Sequence, residues 1–455
     1  MSVTYSAIFF GGIMEIKLSD HFTYKRLLRF AIPSIAMMIF TSIYGVVDGF
    51  FVSNYAGKIE FAAVNLIMPF PMLLGAFGFM IGTGGSALVS ITLGQGKKKE
   101  ANQYFSMLVY VTTIAGIILT ILGVTFTEKI AIWMSAEGEM LTHCVTYGRI
   151  LMCALTPFML QNVFQSFFVT AEKPQLGLMV TVIAGLINVV LDWLFIGVFK
   201  WSVTGAALAT GISQVIGGMI PVIYFLCKNS SELKLVKAKV DFRALGKTCF
   251  NGSSELLTNL SLSLINMLYN FQLMKFAGED GVAAYGVIMY VNFIFISVFL
   301  GYAIGTAPII GYHYGAGNKD ELKNVYKKSI IFNIFAGFLM CFCAILLAGF
   351  LAKIFVGYDE ALYEMTKRGF MIFSLSFIFN GLNIYGSSFF TALGNGLVSA
   401  LISFLRTLLF QVVAVLVLPI YFELDGIWFA IVAAEGVALV VTLAFLLGNR
   451  KKYGY

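Results

Sequence analysis

Long apolar runs alternate with short polar turns along almost the whole chain. Twelve runs of at least 20 mainly apolar residues recur, and each is long enough to cross a hydrocarbon core of about 30 Å as a helix. The predicted spans are 27–51, 60–93, 103–126, 142–168, 175–199, 202–227, 248–276, 282–312, 326–350, 362–392, 397–421 and 425–448. The pattern predicts an all-α integral membrane protein with twelve transmembrane helices.

Composition agrees with the pattern. The chain is 59% hydrophobic and 12% charged, and its mean hydropathy of +0.88 lies far outside the range of ordinary soluble domains. The six cysteines fall inside or at the ends of the apolar runs, and Cys341-x-Cys343 lacks the spacing of a metal or thioredoxin-like site. The cysteines are therefore expected to be small packing residues.

The positive charges are distributed unevenly between the two ends of the predicted spans. The formal net charge is +7, but most of the bases cluster on the side that holds both termini and the even-numbered turns. They are Lys17, Lys25, Arg26, Arg29, Lys97, Lys98, Lys99, Lys173, the bases of 228–247, Lys319, Lys323, Lys327, Lys328, Arg450, Lys451 and Lys452. This positive-inside bias predicts that both termini are cytoplasmic, and it explains the basic charge without nucleic acid. We expect a multi-pass protein of the bacterial cytoplasmic (inner) membrane, with the lipid bilayer as its partner.

The first stretch, "MSVTYSAIFFGGIMEI", is apolar but short. It has no basic n-region and no small-residue cleavage site after it, so it does not resemble a signal peptide. Met14 opens a more conventional start, and the natural product is predicted to begin there and not at Met1.

The two halves of the chain resemble each other at a constant shift of 221 residues. At this shift Ala62-Ala63 matches Ala283-Ala284, and Gly94-x-Gly96 matches Gly315-x-Gly317. Because six helices precede the repeat, both halves enter the membrane in the same direction, related by a pseudo-twofold axis along the membrane normal. The predicted order is an N-terminal segment, a six-helix lobe, a polar linker, a second lobe and a tail, at 1–26, 27–227, 228–247, 248–448 and 449–455.

Polar residues that break this symmetry are the candidates for function. In the first half, Asp48, Asn188, Asp192 and Thr210 align with apolar or aromatic residues of the second half. Ionisable side chains at membrane depth are costly and usually belong to ion or substrate paths. Asn188 and Asp192 are four residues apart, and so lie on one face of the fifth helix.

The first-half set offers carboxylate, amide and hydroxyl oxygens. These groups can share a proton or coordinate Na⁺, a hard monovalent cation. A carboxyl in a low-dielectric site beside a second carboxyl can bind a proton near neutral pH. We therefore predict that Asp48 and Asp192 form a cation-dependent switch. The alternative is that each acid only accepts hydrogen bonds from neighbouring helices.

The second half has its own charged residues, Glu255, Arg406 and Glu435. Arg406 and Glu255 can each contact substrate, or they can form a structural ion pair with each other, and the sequence leaves both interpretations open. Glu435 is a further candidate on the same grounds. Nothing in the sequence indicates an enzyme. The "ALGKT" stretch has Asp241 in place of the first glycine of a phosphate-binding loop, and no nucleophile–base pair, metal-ligand cluster or cofactor loop is found. No cofactor is predicted.

The combined pattern resembles the MATE (multidrug and toxic compound extrusion) transporters. The resemblance rests on "IPSIAMMIFTSIYGVVDGFFVSNYAG" with Pro33 and Asp48, the "G-x-G-K-K" turn, "INVVLDWLFI" and "GAALAT", and it covers roughly 25–450. It is closest to the bacterial drug-efflux branch related to MepA and DinF.

The resemblance implies an antiporter that exports amphipathic, often cationic drugs in exchange for H⁺ or Na⁺, by alternating access of two lobes. It places the cation site on Asp48, Asn188, Asp192 and Thr210. A second-lobe acid of some members corresponds to Glu255, whereas an acid of their tenth helix has no counterpart here, and Asn380 and Asn383 are the nearest polar residues. Pro33 is a candidate for helix bending, and a monomer is expected.

Two other functions are open at this point. A flippase for a lipid-linked oligosaccharide or a peptidoglycan precursor has similar lobes, but it usually has extra helices and a strongly cationic cavity. Here the count stops at twelve, and Arg406 is the only base deep in a predicted span. A receptor or channel is the other alternative, and the doubled architecture with asymmetric acids favours alternating access instead.

Overall fold

The fold was obtained as a computed structural model, and it describes residues 16–455. The proposed start at Met14 and the apolar stretch before it lie outside these residues. Twelve membrane-spanning helices, α1 to α12, account for nearly all of the described chain. The first six are α1 (Tyr24–Phe51, continued by Val52–Ala56), α2 (Lys58–Ile67 and Pro69–Gly94), α3 (Lys98–Trp133), α4 (Gly138–Cys153 and Leu155–Thr170), α5 (Pro174–Asp192, continued by Trp193–Val198) and α6 (Ser202–Leu226).

The second six follow a non-helical segment at 227–241. A helix of 74 residues, Phe242–Gly315, is interrupted at Gly278, whose φ is +62°. At 1.5 Å per residue such a helix is far longer than one bilayer crossing. It therefore comprises two spans, α7 (242–277) and α8 (279–315). The remaining helices are α9 (Lys319–Val356), α10 (Glu360–Ser374 and Phe377–Ala392), α11 (396–422) and α12 (424–453), the last two separated at Glu423.

These helices confirm the predicted fold class, and their ends lie within seven residues of the ends of the predicted spans. Two spans are sharply bent, α4 by 54° and α10 by 48°. The bend in α4 precedes Pro157, which cannot donate a backbone hydrogen bond. Helix α7 begins at Phe242, inside the range predicted as linker.

The two halves pack closely at the membrane face that holds the α2–α3 and α8–α9 turns, here called the basic face. Glycines allow this approach. Gly252 of α7 lies directly against the backbone of Met80 in α2, and Gly301 of α8 lies against Ile35 of α1. Near the turn, Gly315 lies against the Ile91 carbonyl. A Cβ atom at any of these glycines would collide with backbone, so the halves are closed on each other at the basic face.

The other half of α1 is packed differently. Its buried residues all lie between Leu27 and Met37, whereas residues 38–51 contain none. The α1 helix passes through Pro33 without interruption. Bending at Pro33 therefore stays a prediction, because this conformation shows a continuous helix there.

Candidate functional site

The first-half polar residues come from three neighbouring helices. Asp48 lies near the end of α1, Asn188 and Asp192 lie one turn apart on α5, and Thr210 lies on α6. Gly185 of α5 makes the approach of α1 possible, because a Cβ there would lie 2.5 Å from the Phe40 ring of α1. The helices thus bring together four residues of which the first and last are 162 positions apart in the chain.

Asp48 is the centre of this group. The Thr210 hydroxyl donates to the Asp48 Oδ1 atom at 3.4 Å. The side chains of Asn188 and Asp192 also lie within interaction distance of the Asp48 carboxyl group. The two carboxyl groups therefore share one site, as the sequence predicted from their symmetry-breaking positions.

Burial distinguishes the two acids. Asp192 is fully buried, with 0% of its surface exposed, whereas Asp48 is partly exposed. Within residues 16–455, neither carboxylate oxygen of Asp192 has a hydrogen-bond partner, and the Asn188 amide has none either. Buried polar atoms are nearly always paired in native proteins, and unpaired ones are costly. These atoms form a set of oxygens that could bind a proton or a small cation.

Tyrosines surround the carboxyl pair. Tyr147 of α4 lies within electrostatic range of both Asp48 and Asp192. Tyr44 of α1 and Tyr290 of α8 lie within range of Asp48. These three tyrosines were not predicted from the sequence. Tyr44 precedes Asp48 by four positions and could have been found from helical spacing, whereas Tyr290 reaches the site only because α8 packs against α1.

The second-half polar residues also come together. Arg406 of α11 donates through its Nε atom to both carboxylate oxygens of Glu435 on α12, at 2.8 and 2.9 Å. Asn383 of α10 donates to the Glu435 side chain at 2.7 Å. With its nitrogen turned toward Glu435, the Asn380 amide donates to the same two oxygens at 2.8 and 3.0 Å. Glu435, Asn380 and Asn383 are all at most 1% exposed.

Glu255 of α7 lies next to this network without joining it. Its carboxyl group interacts electrostatically with Arg406, but the tight ion pair of Arg406 is with Glu435. The sequence allowed a structural ion pair between Arg406 and Glu255, but the structure pairs Arg406 with Glu435 instead, as a buried ion pair. Glu255 is partly exposed and remains available to other groups.

Widened helical turns accompany the charged residues in both halves. The π-helical segment Val52–Ala56 begins four residues after Asp48, and Trp193–Val198 begins directly after Asp192. A third such segment, Leu405–Leu409, contains Arg406. Such segments are rare and are frequent at functional sites. Here a widened turn lies beside Asp48, Asp192 and Arg406.

The described residues contain no cluster of the side chains that usually bind metal ions in proteins. Across residues 16–455, no three His, Cys, Asp or Glu side chains are grouped so that they could hold a metal ion. The carboxylate, amide and hydroxyl oxygens of the first-half site are ligands that suit Na⁺ by type.

Comparison with known proteins agrees with this fold. The MatE family model matches the chain twice, at residues 33–194 and 256–417, once in each half. The multidrug export protein MepA of Staphylococcus haemolyticus (strain JCSC1435) is 26% identical over 432 residues, which is 94% of each chain.

Solved structures are similar over nearly the whole length. An outward-facing multidrug resistance MATE family transporter of the MOP superfamily superposes with a TM-score of 0.91 at 23% identity, covering 97% of this chain and 99% of that one. A MATE crystal structure in complex with MaL6 gives a TM-score of 0.90 at 23% identity, with coverage of 95% and 98%. With its twelve helices in two repeated halves and a family match in each half, the chain belongs to the MatE family of membrane transporters.

Proposed function

We propose that this protein exports amphipathic, often cationic compounds across the bacterial cytoplasmic membrane in exchange for H⁺ or Na⁺. The coupling ion binds at Asp48, Asn188, Asp192 and Thr210. The basic face is cytoplasmic, both termini lie on that side, and the protein works as a monomer.

The observation that carries the proposal is the buried, unpartnered carboxyl group of Asp192 beside Asp48. Two carboxylates in a low-dielectric site repel each other, and binding one proton or one Na⁺ relieves this repulsion. Exchange requires that substrate and ion compete. They can compete for the same carboxyl groups, or each can favour a different conformation of the protein.

The second half supports a cationic rather than an anionic substrate. Arg406 is held by Glu435, so its charge is already matched, and Glu255 adds a further acid beside the pair. A site for the pyrophosphate of a lipid-linked precursor needs unpaired bases. This arrangement therefore weighs against the flippase alternative.

The driving forces are sufficient for concentrative export. One charge that moves inward through a potential of ~100 mV releases about 2.3 kcal/mol. Each pH unit of gradient adds about 1.4 kcal/mol per proton. One proton exchanged for a singly charged cationic substrate moves no net charge, so one pH unit alone supports about a tenfold substrate gradient. A second proton adds both terms and raises the supported gradient to roughly several thousand-fold.

The test is export of a cationic dye from proteoliposomes. A pH gradient and a Na⁺ gradient are imposed separately on wild type, Asp192→Asn and a control, Asp280→Asn, which removes an exposed acid at the start of α8. We expect one gradient to drive export in wild type and in the control but not in Asp192→Asn. Export that ignores both gradients would refute ion coupling.

A further inference from the structure

The chain segment before α1 crosses from one half of the protein to the other. Residues 16–23, here called the strap, are not helical and lie on the basic face. Their apolar side chains are not free: Leu18 is 1% exposed and Phe22 is 0% exposed. These two side chains are therefore buried as deeply as core residues.

One end of the strap is bound to the second half. Glu321, in the first turn of α9, accepts the Phe22 backbone N–H at 2.8 Å and lies 2.6 Å from the His21 Nδ1 atom. The Phe22 carbonyl accepts from the Asn324 amide at 3.0 Å and from the Lys328 Nζ atom at 2.6 Å. Four side-chain contacts thus fix two consecutive strap residues to one helix of the second half.

The other end is bound to the first half. Glu172, in the turn between α4 and α5, accepts the Leu18 backbone N–H at 2.6 Å through its Oε1 atom. Burial raises the pKa of Glu172 above its ordinary value of 4.5, while the Leu18 N–H acts in the opposite direction. Phe22 is also joined by only one residue, Thr23, to the start of α1 in the first half.

The strap covers the seam where the two halves meet. The Phe22 ring lies edge-on to the His313 ring of α8, with centroids 6.2 Å apart. One residue before His313, the Tyr312 carbonyl lies directly against Gly94 at the end of α2. The strap thus sits on the same interhalf contact that closes the basic face.

We propose that the strap is a latch that holds the two halves together at the basic face, with Glu321 and Glu172 as its two catches. Phe22 is tied to α1 by a single residue, whereas Glu321 belongs to α9. If α9 moves away from α1 when the basic face opens, the 2.8 Å bond to Phe22 cannot be kept, because hydrogen bonds of this kind are lost within a few tenths of an ångström beyond about 3.2 Å.

The latch rests on the proposed function only in requiring that the basic face opens during transport. Bonds to a carboxylate are among the stronger hydrogen bonds of proteins. Removing the Glu321 carboxylate should therefore raise the ratio of open to closed protein at this face by about tenfold, equivalent to ~1.4 kcal/mol.

The experiment measures the distance between the halves by pulsed electron paramagnetic resonance. Spin labels are placed at the exposed positions Lys99 and Lys323, one in each half, after the six native cysteines are replaced. Glu321→Ala removes the first catch. Asp320→Ala is the matched control, because Asp320 is an exposed acid in the same first turn of α9.

The second catch is tested independently by Glu172→Asn. Glu172 has a φ of +62°, a conformation that Asn tolerates well, and the shorter side chain cannot reach the Leu18 N–H. We expect Glu321→Ala and Glu172→Asn each to increase the population with the longer distance, whereas Asp320→Ala should match the parent. Distributions unchanged in both catch variants, or an equal change in the control, would overturn the latch.

Dye export by the same proteins separates the two proposals. If the catch variants shift the distance distribution while the parent exports dye without regard to either ion gradient, the latch stands and ion exchange fails. If export follows a gradient but neither catch variant changes the distances, the exchange stands and the latch fails.

Discussion

Replacing Arg406 tests whether the second-half network is a structural ion pair. The Arg406 side chain is only 12% exposed, and its partner Glu435 is buried. Arg406→Met keeps an apolar stem in place but leaves the Glu435 carboxylate buried without its cation. Breaking a buried pair by removing one partner typically costs about 3–5 kcal/mol, so we expect a loss of unfolding free energy of about this size.

The double variant Arg406→Met/Glu435→Gln gives the sharper result. It removes both charges, and the Gln side chain can still accept from Asn383, which now donates to Glu435. Removing both charges should therefore cost less than Arg406→Met alone, because no unpaired charge remains.

The assay is chemical unfolding in detergent, followed by intrinsic fluorescence, for the two single variants and the double variant. Arg368→Met is the control, since Arg368 forms an ion pair with Asp425 but is 70% exposed, and exposed pairs contribute about 0–1 kcal/mol. A double variant that loses as much as the sum of the two single variants would refute the ion-pair account. So would an Arg406→Met variant no less stable than Arg368→Met.

Three further predictions concern packing, helix bending and ion binding. Gly252→Ala should push α7 away from Met80 and reduce dye export, whereas Gly246→Ala on the same helix, where a Cβ meets nothing within 4 Å, should be neutral; equal export by both would contradict tight closure at Gly252. Pro33→Ala should slow export without lowering stability if α1 bends there, and unchanged export would remove that role. Thr210→Val removes the hydroxyl that donates to Asp48 and should weaken ion binding several-fold, measured as the ion concentration that half-saturates export; Thr204→Val on the same helix is the comparison.

Much of the fold could be predicted from the sequence, because membrane spans are set by a single physical requirement. A span needs about 20 apolar residues, and the twelve runs had that length. The bends within the spans were harder to predict from the sequence. The 48° bend in α10 falls between Ser374 and Phe377, where no proline marks it, and packing rather than local sequence determines it.

The site was predictable in its acids but not in its surroundings. Asp48 and Asp192 stood out because a charge in an apolar run needs a reason. The partnership of Arg406 with Glu435 depends on the rotation of α11 and α12 about their axes, so the sequence left it open. The strap could not be predicted from the sequence. Glu172 and Glu321 look like ordinary polar residues near turns, and only the fold brings them to the two ends of the strap.

The most direct test of ion exchange is dye affinity of the purified protein as a function of pH and of Na⁺ concentration, for wild type and Asp192→Asn. If one ion competes with the dye at the first-half site, a tenfold rise in that ion should weaken dye binding by up to tenfold in wild type. The same rise should leave the affinity of Asp192→Asn unchanged. Wild-type affinity that is independent of both ions, or an ion dependence that persists in Asp192→Asn, would contradict the account.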